Sequence, residues 1–73
     1  MERLGTVDRF AQGLAIVQAD ERHAIGTTAI DEDLVTVGTV VDLFGPVDGP
    51  YVAVAPEDDV HLPSLLGSAL YVR

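Results

Sequence analysis

The sequence predicts an all-β fold, a small six-stranded β-barrel, closed or partly open, formed by one domain over residues 1–73. Three observations predict it. No helical period is sustained, β-branched residues are abundant, and the apolar runs are short and punctuated by glycine, aspartate or proline. A barrel also removes the unpaired edges that an open sheet exposes. A chain of 73 residues buries only a modest core, so oligomerisation or a partner is an expected source of further stability.

Strands are expected near Arg3–Phe10, Gly13–Ala19, Thr27–Ile30, Leu34–Phe44, Tyr51–Ala55 and Ala69–Val72. "AQG" (Ala11–Gly13) closes the first pair as a tight turn, with Gly13 free to take positive φ. "DED" (Asp31–Asp33) closes another, because aspartate bonds to nearby backbone amides and tolerates turn conformations. Within Leu34–Phe44 no single alternation holds: Val35 and Val37 share one face, yet Val40 and Val41 are adjacent. A bulge or sharp bend at Gly38 is expected to reconcile the two halves, as where a strand turns a barrel corner. "EDDVHLPSLLG" (Glu57–Gly67) has room for a helical turn that Pro63 keeps short. No internal repeat, linker or low-complexity segment is recognised.

Twelve acids stand against four arginines, and there is no lysine. A net charge of −8 repels phosphate backbones and disfavours direct nucleic-acid binding. The acids are scattered, as in "QADE", "DED" and "EDD", rather than gathered in a tail. This composition resembles that of proteins adapted to concentrated intracellular salt, where dispersed carboxylates keep a surface hydrated. At ~1 M salt the Debye length is about 3 Å, so most of the long-range repulsion would vanish. Without cysteine there are no disulfides and no thiolate sites. No apolar run approaches the roughly 20 residues of a membrane span, and "MERLGTVDRF" lacks signal-peptide features. A soluble, intracellular protein without a membrane partner is expected.

Catalytic material is thin. Ser64 and Ser68 are the only serines, and His61 lies three residues before Ser64. Neither serine sits in a nucleophile elbow, and a triad also needs an orienting acid and an oxyanion hole. His23, in "DERHAIG", reads as a loop residue. "DEDL" and "EDDVH" offer hard oxygen donors but do not fit the glycine-punctuated calcium loop. Without lysine there is no Schiff base, no lysine-linked lipoyl or biotinyl group and no Walker-type phosphate loop. The expectation is no enzyme, no cofactor and no metal.

"LFGPVDGPY" (Leu43–Tyr51) stands apart. Pro46 and Pro50 cannot donate to a ladder, so the strand ending near Phe44 must break there. The prolines stiffen the connection and limit its unfolded-state entropy. Phe44, Val47 and Tyr51 surround it, and Phe44 and Tyr51 are half of the chain's four aromatic side chains. They either cap the barrel core or present a preorganised apolar surface that docks at low entropic cost.

Three segments carry a family resemblance: "RLGTV" (Arg3–Val7), "VGTVVDLFGPVDGPYVAV" (Val37–Val54) and "LLGSALYV" (Leu65–Val72). In order, and over nearly the whole chain, they resemble the β-barrel accessory subunit of H/ACA ribonucleoproteins. This is the archaeal counterpart of the glycine/arginine-rich nucleolar protein. The pattern G-x-V-x-D-x-F-G-P-V-x-x-P-Y, Gly38 to Tyr51, is long enough to be specific. The resemblance implies a barrel of the translation-factor-like type, no catalytic activity of its own, and a place in the archaeal cytoplasm. It implies binding to the catalytic subunit of the pseudouridine synthase, with guide RNA touched only indirectly. There the family assists RNA-guided pseudouridylation of rRNA, in substrate loading and product release, by engaging a mobile loop of the synthase. Carried over position by position, the partner-binding residues are Phe44, Gly45, Pro46, Val47, Pro50 and Tyr51. Two features depart from the family pattern: the Gly/Arg-rich tails of eukaryotic relatives are not seen in this sequence, and acids in "VDGPY" and "APEDDV" border the central motif where many archaeal relatives are basic. A ribosome-maturation barrel, which shares "G-x-V-x-D" strands and would bind a ribosomal protein, is the alternative. A small metal- or ligand-binding barrel would rest only on the acidic turns.

The charge makes a first prediction. Unscreened repulsion between dispersed carboxylates opposes compaction, so the melting temperature should rise from millimolar to molar sodium chloride. Circular dichroism across a dilution series measures it, and an unchanged value would remove the salt-adaptation reading.

Overall fold

In the computed structural model, which describes residues 2–73, six strands close into one antiparallel barrel. They are β1 (Glu2–Ala11), β2 (Leu14–Ala19), β3 (Thr28–Ile30), β4 (Thr36–Phe44), β5 (Tyr51–Pro56) and β6 (Ala69–Val72). Around the barrel the order is β1-β2-β5-β4-β3-β6, and β6 returns to β1. A single 3₁₀ turn at Leu62–Leu65, with Pro63 in its first turn, occupies the last connection.

Local chemistry accounts for the turns. Gln12 and Gly13 both take positive φ, 54° and 77°, which matches the twist of the β1–β2 hairpin. After β3, the Asp31 carboxylate accepts hydrogen bonds from the amides of Asp33 (2.8 Å) and Val35 (3.0 Å). The Leu34 amide donates to the Asp31 carbonyl at 3.1 Å. That turn corrects the strand start expected at Leu34. Leu34 has φ +67°, a left-handed conformation costing a branched-chain residue about 1–2 kcal/mol, and β4 begins only at Thr36.

Two bulges in each long strand decide which side chains reach the core. Against β5, Val41 is the extra residue between the pairs Val40↔Val54 and Asp42↔Ala53. Against β3, Val37 is the extra residue between Gly38↔Ala29 and Thr36↔Ile30. Core contributions from β4 therefore come from Val37, Val40 and Leu43, a spacing of three that a regular strand cannot supply. β1 does the same: bulges at Leu4 and Asp8 send Leu4, Val7 and Phe10 inward. Gly38, expected as a bulge or sharp bend, is not itself the bulged residue: it is paired with Pro56 and buried at the bend. Its role is close approach. A Cβ there would stand 2.9 Å from the Pro56 Cα and nearer still to the Ala55 carbonyl oxygen.

The register exposes an internal repeat where none was recognised in the sequence. Gly5↔Ala19, Val7↔Val17 and Phe10↔Ala15 in β1–β2 are matched by Gly38↔Pro56, Val40↔Val54 and Leu43↔Val52 in β4–β5. Likewise Gly5↔Leu70 in β1–β6 matches Gly38↔Ala29 in β4–β3. Two three-stranded units, β6-β1-β2 and β3-β4-β5, thus join through β2–β5 and β3–β6 around a pseudo-two-fold axis. "LGTV" (Leu4–Val7) and "VGTV" (Val37–Val40) are the corresponding stretches. So short a match, followed by connections of unequal length, is below what inspection of the sequence detects.

The interior is filled by small and branched side chains, including Leu4, Val17, Val40, Val52, Val54 and Leu70, each at most 0% exposed. Val60, Leu62 and Leu65 of the last connection pack against it. The close approach at Gly38 yields a prediction. Gly38→Ala should lose about 3 kcal/mol or more, because the added methyl meets rigid backbone. Gly49→Ala, whose Cβ would meet nothing within 4 Å, should stay within about 0.5 kcal/mol of wild type. Urea denaturation of the two variants compares them directly.

Candidate functional site

The β4–β5 connection is a rigid projection with a defined shape. Phe44 and Tyr51 are the last cross-strand pair of β4–β5, and their rings stack with centroids 5.7 Å apart at 20°. Gly45 then takes φ +92°, and a Cβ on it would lie 3.1 Å from Tyr51 Cδ2. The tyrosine ring therefore packs on bare backbone that any other residue would crowd. The Gly49 amide donates to the Pro46 carbonyl at 3.3 Å, closing a turn with Val47 and Asp48 at its corners. Val47 is thrust outward and is 80% exposed; Phe44 is 39% exposed.

Pro50 behaves differently from its neighbours. It is buried, and its carbonyl accepts a hydrogen bond from the Ala19 amide at 3.0 Å, tying the connection to the end of β2. Of the six residues expected at an interface, Phe44, Gly45, Pro46, Val47 and Tyr51 line the projection. Pro50 anchors it from beneath and, being buried, offers little surface to a partner.

Two further residues belong to this surface. Arg9 places its guanidinium carbon 5.1 Å from the centroid of the Tyr51 ring, on the exposed side of the sheet. β2 lies between β1 and β5, so the Arg9 side chain must cross it, and Arg9 is paired with Ile16 in register. The arginine stem covering β2 accounts for Ile16 being only 4% exposed although it lies outside the core cluster. Arg9 also donates to the Asp8 carboxylate at 2.8 Å, an exposed ion pair worth little by itself. Val41, the β4 bulge residue, is 42% exposed. The broken alternation at Val40–Val41 was a signal for it. Nothing local to Arg9 signals its position over Tyr51, since that depends on the order of three strands.

The result is an arginine–tyrosine–phenylalanine stack continuing into exposed valines, bordered by the carboxylates of Asp42 and Asp48. Aromatic faces, a guanidinium and exposed aliphatic groups on a stiff backbone are the composition of binding hot spots. A second apolar feature, a shallow groove of about 290 Å³ lined by Ile30, Leu34, Val72 and Arg73, lies toward the opposite end of β4.

The residues weighed for chemistry lie elsewhere. The Ser64 hydroxyl donates to the His61 main-chain carbonyl at 2.6 Å, a local bond within the 3₁₀ turn. Asp31 is engaged in holding its own turn. Glu2, Glu21 and His23 form a separate cluster at the start of β1 and the end of β2. There the Glu21 carboxyl is held above the ordinary carboxylate range, first by a side-chain hydrogen bond with Glu2 and then by the charge of Glu2.

No family model matches the chain. An uncharacterized protein of Methanothermobacter thermautotrophicus is 28% identical over 76 residues, covering 99% of this chain and 83% of that protein. Among solved structures, the Gar1 domain of NAf1 is similar with a TM-score of 0.75 at 19% sequence identity, covering 99% of this chain and 81% of that one. The six-stranded barrel is therefore of the Gar1 type in fold.

The geometry predicts how the projection tolerates substitution. Phe44→Ala should cost about 1 kcal/mol, because it removes one ring of a partly buried stack. Val47→Asp should change stability by no more than about 0.5 kcal/mol, since the side chain is solvated. Chemical denaturation of both variants tests the assignment, and a Val47→Asp protein that unfolds would return Val47 to the core.

Proposed function

We propose that this chain is a non-catalytic accessory subunit of an archaeal H/ACA ribonucleoprotein, and that it binds the catalytic subunit of the pseudouridine synthase. One observation carries the reading: a barrel similar in fold to the Gar1 domain of NAf1 presents the end of the motif segment, Phe44–Tyr51, as a stiff aromatic edge with Phe44 and Val47 exposed. Phe44, Gly45, Pro46, Val47 and Tyr51 form the contact, with Arg9 and Val41 extending it and Pro50 holding its base. The stack is already ordered in the free protein, so docking loses little conformational entropy. The exposed apolar groups supply the area that such a small subunit lacks in its own core. With a net charge of −8, the subunit touches guide RNA only indirectly and acts through the synthase, in substrate loading and product release.

Calorimetric titration against the synthase at high salt tests this. Wild type should bind one to one, and Val47→Asp should bind at least about 2 kcal/mol more weakly while melting at the same temperature. A carboxylate that enters a desolvated contact has no compensating partner there. Normal binding by Val47→Asp would make the segment an ordinary strand connection. Capture of ribosomal proteins rather than the synthase from native lysate would replace the reading with a ribosome-maturation role. In a reconstituted particle the subunit should raise multiple-turnover rate more than the single-turnover step, and equal effects on both would give it a part in the chemistry.

A further inference from the structure

We propose that Glu2, Glu21 and His23 form a binding site for a divalent transition-metal ion of the zinc type, which staples the start of β1 to the connection after β2. Their ligand atoms, one from each side chain, all lie within 4.8 Å of one another. Pairing of the first two strands brings them together. The Asp20 amide donates to the Leu4 carbonyl at 3.4 Å, extending the ladder beyond β2. An Arg3–Asp20 ion pair of 2.8 Å pins the same corner. Glu2 then faces residues that follow β2, although nineteen positions of chain separate Glu2 from Glu21.

A second observation is independent of the clustering. His23 Nε2 is buried and has no hydrogen-bond partner, alone among the buried side-chain nitrogen and oxygen atoms of the described residues. A buried polar atom left unpaired costs about 1–3 kcal/mol, and an ion is one of the few things that accounts for it. Ligation through Nε2 gives that nitrogen the partner it lacks. The two glutamates stand side by side in a chain already at −8, and a dication between them replaces repulsion with attraction.

Donor chemistry selects the metal. One imidazole nitrogen and two carboxylate oxygens suit zinc and its neighbours, whereas magnesium and calcium prefer all-oxygen shells. Zinc bonds of about 2.0–2.1 Å in a tetrahedron place donors roughly 3.4 Å apart. Closing from 4.8 Å needs only rotation of glutamate side chains, and both glutamates are exposed. Three protein ligands leave a fourth position for water. The site holds a strand start to a loop, involves none of the residues of the aromatic edge, and does not depend on the synthase reading.

Isothermal titration calorimetry of the full chain with zinc chloride, and separately with magnesium and calcium chloride, tests the site. Zinc should bind at one equivalent, at least tenfold more tightly than either hard cation. His23→Ala and Glu21→Gln should each weaken zinc at least tenfold, while substitution of the chain's other histidine, His61→Ala, should leave it unchanged. Zinc should also raise the melting temperature of wild type and not of His23→Ala, with circular dichroism confirming that each variant is folded. Absence of saturable one-to-one binding, retained affinity in both His23→Ala and Glu21→Gln, or loss confined to His61→Ala would each overturn the proposal.

Discussion

At Gly5 and Gly38 the backbones of β1 and β4 run so close to their neighbours that a Cβ would stand 2.9 Å from the Cα of Ala19 and of Pro56 respectively. Most of the architecture follows from that contact. It lets the two long strands bend sharply enough to serve two neighbours each, and the bulges beside the glycines absorb the change of direction. The bulges in turn set the three-residue spacing by which Leu4, Val7 and Phe10, and Val37, Val40 and Leu43, enter one interior. A narrow interior admits mainly valine, alanine and leucine, and these are the buried residues. Closure leaves no free edge to cap, which matters for a chain with so little core to spend on stability.

The same bending determines where the aromatic edge sits. β4 reaches Phe44 after its second bulge, with Val41 and Asp42 turned outward and Leu43 inward. The two Gly-Pro pairs of "GPVDGP" then play different parts. Gly45 provides the left-handed bend and the bare surface beneath Tyr51, and Pro46 begins the turn that exposes Val47. Gly49 closes that turn, while Pro50 is buried and its carbonyl ties the segment to β2. The interruption of the sheet is thus half anchor and half display. In the repeat-related half, Gln12 and Gly13 make a tight turn instead, and neither ring has a counterpart there: Ala11 and Leu14 stand where Phe44 and Tyr51 do. The two halves share a frame but only one bears the projection.

What was legible in the sequence is what a single strand or turn decides alone. The barrel class, all six strands, the Gln12–Gly13 turn, the aspartate-held turn and the helical turn limited by Pro63 follow from residue types within a few positions. What was not legible depends on which strands lie side by side. The bulges at Val37 and Val41 belong to pairings with β3 and β5, so the sequence pointed to the bend at Gly38 but not to the nearby residues that bulge. Leu34 looked like strand because it is apolar, yet the Asp31 cap dictates its conformation. Arg9 reaches Tyr51 across β2, and Glu2 reaches Glu21 and His23 across the first hairpin. In the candidate site the exposed Phe44, Pro46 and Val47 were within reach of sequence reasoning, whereas the burial of Pro50 was not, because it depends on the Ala19 amide.

Pairing of Glu2 with Val72 has a consequence for how the molecule is made. The first strand to leave a ribosome must wait for the last, since β1 and β6 form the seam of the barrel. At ~5–20 residues per second that wait is on the order of several seconds. Until then the nascent chain is an open sheet with β1 unpaired on one side and the interior valines within reach of other chains. The first hairpin, tied by its short turn, can assemble early, and β4–β5 can follow as a second local unit. Neither is sealed before the carboxyl-terminal strand arrives, so nascent chains arrested short of Ala69 would be the form most in need of a chaperone.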